Sequence, residues 1–216
     1  MKTSQILNIL LAVALVILSV KLVTDSKEKS ADPQSSDSAI QTIMTRTSIR
    51  DYQDKPVEDE KIETMLRAAM SAPSARNKQP WRFIVIKDKN TLKAISANFQ
   101  SMKMAEKAPL AIVVCGDMKA TIEGDGLDYW VEDTSAATEN LLLAAHSLGL
   151  GAVWCGIYPI ADRVTLLKEM LDIPEDIVPL NVIPIGYPAE NPEPKDKWDS
   201  SEIHYETWSG PAPNLK

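Results

Sequence analysis

The stretch from residue 128 to 148 constrains the fold more than any other part of the chain. It is the longest helical pattern, and its centre, AATENLLLAAHSLG, is apolar on nearly every side. A surface helix buries a single apolar stripe, whereas a helix that is apolar all round has to be covered on several sides. Gly149 follows directly and is suited to end the helix. We therefore expect this helix to be buried on several sides.

The other patterns predict a mixture of helices and strands. Helices are predicted at residues 39–45, 57–70, 91–99, 102–107 and 161–171, and strands at WRFIVIK, LAIVVCG, AVWC and PLNVIPIGYP. We expect LAIVVCG to be buried on both faces. The prolines of the last strand suit the ends of a strand or the edge of a sheet. Because the early strands do not alternate with full crossover helices, the sequence predicts the α+β class.

The N-terminal segment reads ILNILLAVALVILSVKLV between residues 6 and 23. As a helix it would be about 27 Å long, close to the roughly 30 Å of a bilayer's hydrocarbon core. A secretory signal peptide has a similar apolar centre, but no convincing cleavage site follows. We therefore expect residues 1–23 to be a retained membrane anchor, with a cleaved, exported form as the alternative. The lysines and the short N-terminal tail favour opposite orientations, so the side of the membrane stays open.

Composition narrows the class of the remaining chain. Residues 24–38, TDSKEKSADPQSSDS, are polar and predict a linker, so we expect the globular domain to span residues 39–216. A net charge of −7 and a pI near 5.0 argue against nucleic acid as a partner. Cys115 and Cys155 are too few for a disulfide framework and belong to no metal-binding motif. We expect both to be buried free thiols.

Two common kinds of site are disfavoured by their context. GLGAVWCG, residues 149–156, is similar to a dinucleotide-binding glycine loop, but its glycines end a helix and enter a strand. A dinucleotide loop leaves a strand and begins a helix, so that the helix N-terminus meets the pyrophosphate. Cys155 with His146 or His204 would supply the residue types of a Cys/His hydrolase. A cysteine in an apolar strand is far more often structural, so we do not favour this alternative.

The stretch TRTSIR, residues 45–50, is the best candidate for binding chemistry. Arg46 and Arg50 flank Thr47 and Ser48 in an otherwise acidic chain. Guanidinium groups offer forked donors to a phosphate, and hydroxyl groups fill its remaining lone pairs. A solvated, charged loop has the same composition. Taken alone, the stretch favours the solvated loop, and the other motifs of the chain have to be considered with it.

Four motifs together resemble one family. RTSIRDY, APSARNKQPWRFIVI, DTSAATENLLLAAHSLGLGAVW with the following CGIYP, and IPIGYPAENPEPKDKWD occur in this order. Over residues 39–208 the chain resembles the FMN-dependent nitroreductase family. The resemblance implies an α+β fold with a central, mainly antiparallel sheet flanked by helices. It also implies an intertwined homodimer that binds two FMN molecules at the subunit interface.

The resemblance implies which residues hold the cofactor. Arg50 would reach the ribityl chain and the N1/O2 edge of the flavin, where a cation favours the reduced form. The backbone N–H of the strand end at Cys155 and Gly156 would approach flavin N5. The phosphate would be held by Arg46, Thr47, Ser48, Lys195 and Lys197. The flavin would be lined from the other subunit by Pro73, Ser74, Ala75, Asn77 and Gln79.

The resemblance also implies the reaction. Hydride would pass from NAD(P)H through flavin N5 to a nitroaromatic, quinone or similar acceptor, in two half-reactions at one shared site. No side chain is expected to act as an acid–base catalyst, and no metal is expected. Tyr129 and Trp130, at the end of TIEGDGLDYW, are predicted to belong to a lid over the flavin. The alternative function is an FMN-binding carrier that does not turn over substrate.

Overall fold

The computed structural model describes residues 33–210. Thr45 and the residues after it form one compact unit, and those up to Met44 form another. The helices are α1 (Pro33–Thr45), α2 (Asp59–Met70), α3 (Lys89–Asn98), α4 (Tyr129–Ser147) and α5 (Ala161–Met170). The strands are β1 (Trp81–Ile86), β2 (Leu110–Asp117), β3 (Gly151–Ala152), β4 (Cys155–Gly156) and β5 (Ile177–Gly186).

Two predicted boundaries are wrong near the helices. α1 begins at Pro33, six residues before the helix start that the sequence predicts at residue 39. Proline is well placed in a first helical turn because its missing N–H has no partner there. The helix predicted at residues 102–107 is instead a 3₁₀ turn, Gln100–Glu106, with non-helical backbone at Met102.

The strands form one antiparallel sheet in the order β1-β2-β5-β3, and β4 also pairs with β5. Helices plus an antiparallel sheet confirm the α+β prediction. The sheet separates two apolar cores. Alternate residues of β2 enter them: Ile112 packs with Met65 and Leu141 of α2 and α4, whereas Val113 packs with the α3 and α5 side. The burial of β2 on both faces is therefore confirmed.

The prolines of β5 do not lie at an edge, since the strand is in the middle of the sheet. Pro179 lies beside the register shift between Val114 and Cys115, where β2 and β5 lose regular pairing. The carbonyl oxygen of Pro184 accepts from Val153, between the short strands β3 and β4. Its ring nitrogen points to the same gap, because N and O of one strand residue share a side. Each proline thus occupies a ladder position that needs no N–H donor.

The strand predicted at AVWC is split into β3 and β4, with Val153 and Trp154 between them.

The end of α4 matches the prediction. Gly149 has a φ of +74°. Its N–H bonds to His146 O, and Leu150 N–H bonds to Ala145 O. This pair of bonds is the Schellman ending of a helix, and it leads directly into β3.

The buried residues of α4 follow the spacing of one broad face, and the opposite side of the helix is partly exposed, so the predicted burial on several sides is wrong within a single chain. These buried residues extend from Trp130 to Ala145, and they include Asp133, Thr134 and Thr138 as well as apolar side chains. Within residues 33–210, no helix is both long and apolar enough to cross a bilayer. The predicted anchor at residues 1–23 lies outside the described residues and stays a prediction.

Candidate functional site

The segment TRTSIR runs beside the short strand β3. Ser48 forms a parallel bridge with Ala152, and Ile49 N–H bonds to Ala152 O at 3.1 Å. The side chain of Ile49 is buried against Gly151, where an added Cβ would lie 2.6 Å from Ile49 Cβ. Ile49 therefore anchors the segment in the fold, while Arg46, Thr47 and Ser48 are half-buried and Arg50 is exposed.

Two further side chains hold the end of this segment. The Tyr52 hydroxyl donates to the carbonyl oxygens of Ile49 at 2.6 Å and Pro184 at 3.1 Å. Burial raises the pKa of Tyr52, so its hydroxyl remains a donor. One carboxylate oxygen of Glu190 accepts from the backbone N–H groups of Arg50 at 2.5 Å and Asp51 at 3.1 Å. The backbone on which Arg50 sits is therefore fixed from two directions.

α4 contacts the beginning of the segment. Arg46 Nε lies 3.5 Å from a carboxylate oxygen of Glu139, and Thr45 Oγ1 lies 2.9 Å from His146 Nε2. Burial lowers the pKa of His146, and the positive charge of Arg46 lowers it further. A guanidinium group has five N–H donors, so the pairing with Glu139 leaves Arg46 capacity for another anion.

The charge of Arg50, at the end of the arginine segment, acts on Cys155 of β4. Burial raises the pKa of the Cys155 thiol to about 11, and the nearby charges of Arg50 and Arg163 act against this rise. Ile157 N–H bonds to Leu180 O of β5. Because the bonding direction alternates along a strand, the N–H and C=O of Gly156 are turned away from β5. Arg50 and an outward-facing Gly156 N–H therefore lie in one region.

Gly156 has no local reason to be glycine. Its φ is outside the left-handed region, and among the described residues no atom beyond its chain neighbours lies within 4 Å of where a Cβ would stand. Glycine in a strand weakens it unless another backbone or a ligand approaches closely. The position therefore fits an approach by a group from outside this chain.

The Cys/His hydrolase finds no support in the geometry. The Cys155 sulfur contacts Ser101 O at 4.0 Å, and a thiol with a raised pKa is a poor nucleophile. His146 is engaged with Thr45, and the ring of His204 packs on Trp208. Cys115 and Cys155 are both buried free thiols, as predicted.

The loop after α2 has an unusual backbone that α4 supports. Arg76, Asn77 and Gln79 all have positive φ, a conformation that costs energy for residues with a Cβ. Asp133, which is 5% exposed, accepts a hydrogen bond of 2.8 Å from Ala75 N–H through Oδ1. Its other oxygen, Oδ2, has no hydrogen-bond partner in the described structure. Asp133 is thus the side chain that holds this loop on α4.

Within one chain, this loop does not join the arginine segment. Asp133 and Glu139 are six residues apart on α4, and His146 is seven residues further. At 1.5 Å per residue, Glu139 lies about 9 Å from Asp133 along the helix axis, and His146 lies about 20 Å from Asp133. The loop residues Pro73, Ser74, Ala75, Asn77 and Gln79 therefore lie toward the opposite end of α4 from Thr45.

The lysines assigned to the phosphate lie on the exposed C-terminal stretch. Residues 187–190 run beside residues 50–53, with Gln53 N–H bonded to Tyr187 O and Ala189 N–H bonded to Asp51 O. Lys195 and Lys197 follow and are exposed. Five residues span at most about 17 Å, so Lys195 is within reach of the arginine segment from Glu190. The structure shows no direct contact between these lysines and Arg46.

The two predicted lid residues have different environments. Tyr129 is 46% exposed, whereas Trp130 is 3% exposed. An added Cβ at Gly116 would stand 2.4 Å from the Trp130 ring, which also meets Tyr158 edge-to-face at 4.8 Å. Trp130 is therefore a core residue as it stands, and Tyr129 is the aromatic side chain available at the surface.

Comparison with known proteins decides the family. The family model described as the nitroreductase family matches residues 43–187. The chain belongs to this family. A relative from Methanothermobacter thermautotrophicus, named "Putative NADH dehydrogenase/NAD(P)H nitroreductase", is 48% identical over 170 residues, covering 78% of this chain and 87% of the relative. The nitroreductase fold predicted from the motifs is confirmed.

Solved structures agree with this assignment. A Bacteroides thetaiotaomicron protein of the same description is 46% identical with a TM-score of 0.75, covering 79% of this chain and 98% of the other. An FMN-dependent nitroreductase from Clostridium difficile is 32% identical with a TM-score of 0.72, covering 78% and 99%. The match thus extends over nearly the whole of both proteins of known structure.

Sequence reasoning missed four residues that shape this site. Asp133, Glu139, Arg163 and Glu190 contact the candidate residues through hydrogen bonds or ion pairs. Asp133 and Glu139 had one available signal, since both are acidic residues inside a helix that is otherwise largely apolar. Arg163 and Glu190 have no comparable signal.

Proposed function

We propose that this nitroreductase-family chain passes hydride from NAD(P)H through FMN to a nitroaromatic, quinone or similar electron-poor acceptor. The coarser part, an NAD(P)H-dependent oxidoreductase with FMN as cofactor, follows from membership of the family. The acceptor and the order of the two half-reactions are the parts that we add. No acid–base catalyst is required of the chain.

One observation carries the proposal. The segment from Arg46 to Arg50 runs beside Ala152 of β3, and the charge of Arg50 reaches Cys155 of β4, so a cationic group and an outward-facing backbone donor lie in one region. In the part of the chain that the structure describes, Arg50, Lys195 and Lys197 form no ion pair, although the chain is acidic overall. An unpaired Arg50 near an open glycine, with Lys195 within reach of the arginine segment, fits a flat group that carries a phosphate.

The residues present therefore fit FMN. Arg46, Thr47 and Ser48 would hold its phosphate with charged and neutral donors, joined by Lys195 and Lys197 from the exposed stretch. Arg50 would face the pyrimidine edge of the ring, where its charge favours reduction. Gly156 would allow the ring to approach the backbone and would present its N–H. FMN held by these residues would supply the hydride-transfer chemistry, which the chain's own side chains lack.

We further propose that the site is completed by a second subunit. The loop held by Asp133 lies about 9 to 20 Å along α4 from the contacts of the arginine segment. This separation supports a contribution of Pro73, Ser74, Ala75, Asn77 and Gln79 to the flavin of a partner copy. Sedimentation of the purified chain tests this proposal, and a monomer that binds FMN with full affinity would contradict it.

The absorbance spectrum of the purified chain tests the proposed function. We expect a yellow protein with flavin absorbance that bleaches on adding NADH or NADPH and returns on adding a quinone or a nitroaromatic compound. A yellow protein that neither dinucleotide reduces would support the carrier alternative. A chain that stays colourless after incubation with FMN would contradict both.

Tyr129 and Trp130 are expected to respond differently to truncation. Tyr129→Ala should change kcat/KM for one or more acceptors without lowering stability, because its ring is exposed. Trp130→Ala should lower the free energy of unfolding by about 3–5 kcal/mol, as expected for removal of a buried aromatic ring. Denaturant titration and steady-state kinetics of the two variants test this. If Tyr129→Ala leaves every acceptor's kcat/KM unchanged, the lid assignment is wrong.

A further inference from the structure

Arg163 contacts the backbone of the candidate flavin strand. It is half-buried in the first turn of α5, and its Nη1 donates a hydrogen bond of 3.0 Å to the carbonyl oxygen of Gly156. Neither the motifs nor the family resemblance assigned it a role. A charged donor generally forms a stronger hydrogen bond than a neutral one, so this contact is an effective restraint.

Gly156 is the residue that most needs such a restraint. Its carbonyl group is turned away from β5, so the sheet does not hold it. Glycine has the widest range of backbone conformations, and β4 is only two residues long. The bond from Arg163 therefore fixes the backbone at the point where the strand has the most freedom.

Arg163 also adds positive charge to this place. Its guanidinium group and that of Arg50 both lie close enough to Cys155 to counteract the effect of burial on its thiol. Arg50 belongs to the arginine segment and Arg163 to α5, so positive charge reaches β4 from two separate parts of the fold. Fixed cations in a partly buried site stabilise nearby negative charge more strongly than they would in water.

We propose that Arg163 is a positioning residue of the flavin site. It orients Gly156 so that the backbone N–H faces the cofactor, and its charge favours the reduced cofactor over the oxidised one. It acts through Gly156 and touches no substrate. This role rests on the proposed function, because it requires FMN beside β4.

The reduction potential of bound FMN tests this role. In Arg163→Met, the ratio of reduced to oxidised flavin at a fixed potential should fall about tenfold, which for a two-electron couple is about 30 mV. Arg163→Lys keeps the charge and a donor, so its potential should lie closer to that of the wild type. Lys168→Met is the matched control. Lys168 is a half-buried cation on the same helix, and its Nζ donates to Glu175 O at 2.8 Å.

The outcomes separate the two proposals. If the wild type binds FMN and Arg163→Met has the wild-type potential, the role of Arg163 is wrong while the proposed function stands. An equal shift in Lys168→Met would show a general effect of net charge and would also overturn the role. If the wild type binds no FMN, both proposals fail. Should Arg163→Met not fold, Arg163→Gln removes the charge and keeps a donor; a potential lowered in this variant supports the role, and the wild-type potential contradicts it.

Discussion

Gly156→Ala is expected to fold as well as the wild type and to bind FMN about 10- to 100-fold more weakly. An added methyl group meets no atom of the described chain within 4 Å, apart from its neighbours. Alanine also restricts the unfolded backbone, which slightly favours folding. The same methyl group would project toward the flavin, and overpacking of a close contact costs about 1–3 kcal/mol. Fluorescence titration with FMN and thermal unfolding of the apoprotein measure the two effects separately.

Gly151→Ala is the matched control, because it lies five residues earlier in the same stretch and has the opposite surroundings. Its added methyl group would lie 2.6 Å from Ile49 Cβ in the core. This variant should therefore be destabilised by about 1–3 kcal/mol. If Gly156→Ala bound FMN as tightly as the wild type, the ring would not approach β4, and the proposed site would be wrong.

The sequence correctly predicts the helices and strands in which the spacing of apolar residues shows which side is buried. The stripe of Ile62, Met65, Leu66, Ala69 and Met70 predicts α2. Ile62, Met65 and Ala69 are buried, whereas Met70 at the end of the helix is 52% exposed. The continuous apolar run of β2 predicts a strand covered on both faces, which the two cores confirm. These predictions succeed because each residue's environment is set by its own helix or strand.

Predictions fail where the deciding contact is distant or involves backbone atoms. β5 lies in the middle of the sheet because β3 and β4 pair with it. Pro184 is tolerated there because it lies opposite the gap between these two short strands, where no N–H donor is needed. The sequence of β5 alone does not predict either fact. The Trp130 ring is buried against Gly116, which is distant in sequence, and the glycines near Trp130 in sequence do not predict this contact. Arg163 bonds to a carbonyl oxygen, and a backbone acceptor leaves no pattern in side-chain identities.

The candidate site shows the same division. Its cationic residues were identified because arginines, hydroxyl residues and a later lysine pair occur in the order typical of the family. Their supports, Glu139 and Glu190, were not identified because each acts across the fold from a different element. Motifs thus predict which groups meet the cofactor, and the structure is needed to show what holds those groups in place.

Combining Arg46→Ala with Lys197→Ala is expected to give a protein that purifies without flavin. A hydrogen bond to a charged group contributes about 1.5–3 kcal/mol, so each single substitution should raise the Kd for FMN about 10- to 100-fold. Riboflavin lacks the phosphate, and its affinity should change little in any of the three variants. The difference between the two ligands therefore isolates the phosphate contact from general damage to the site.

Arg67→Ala is the matched control, because Arg67 is an exposed arginine paired with Glu63 on the surface of α2. Its FMN affinity should equal that of the wild type. The loss in the two site variants should shrink at high salt, since ions screen exposed charges such as Lys197. If Arg46 and Lys197 hold one phosphate, their effects should also be non-additive, because each side chain compensates in part for the other. A double variant that retains its full complement of FMN would show that the phosphate lies elsewhere, and the site built on TRTSIR would have to be abandoned.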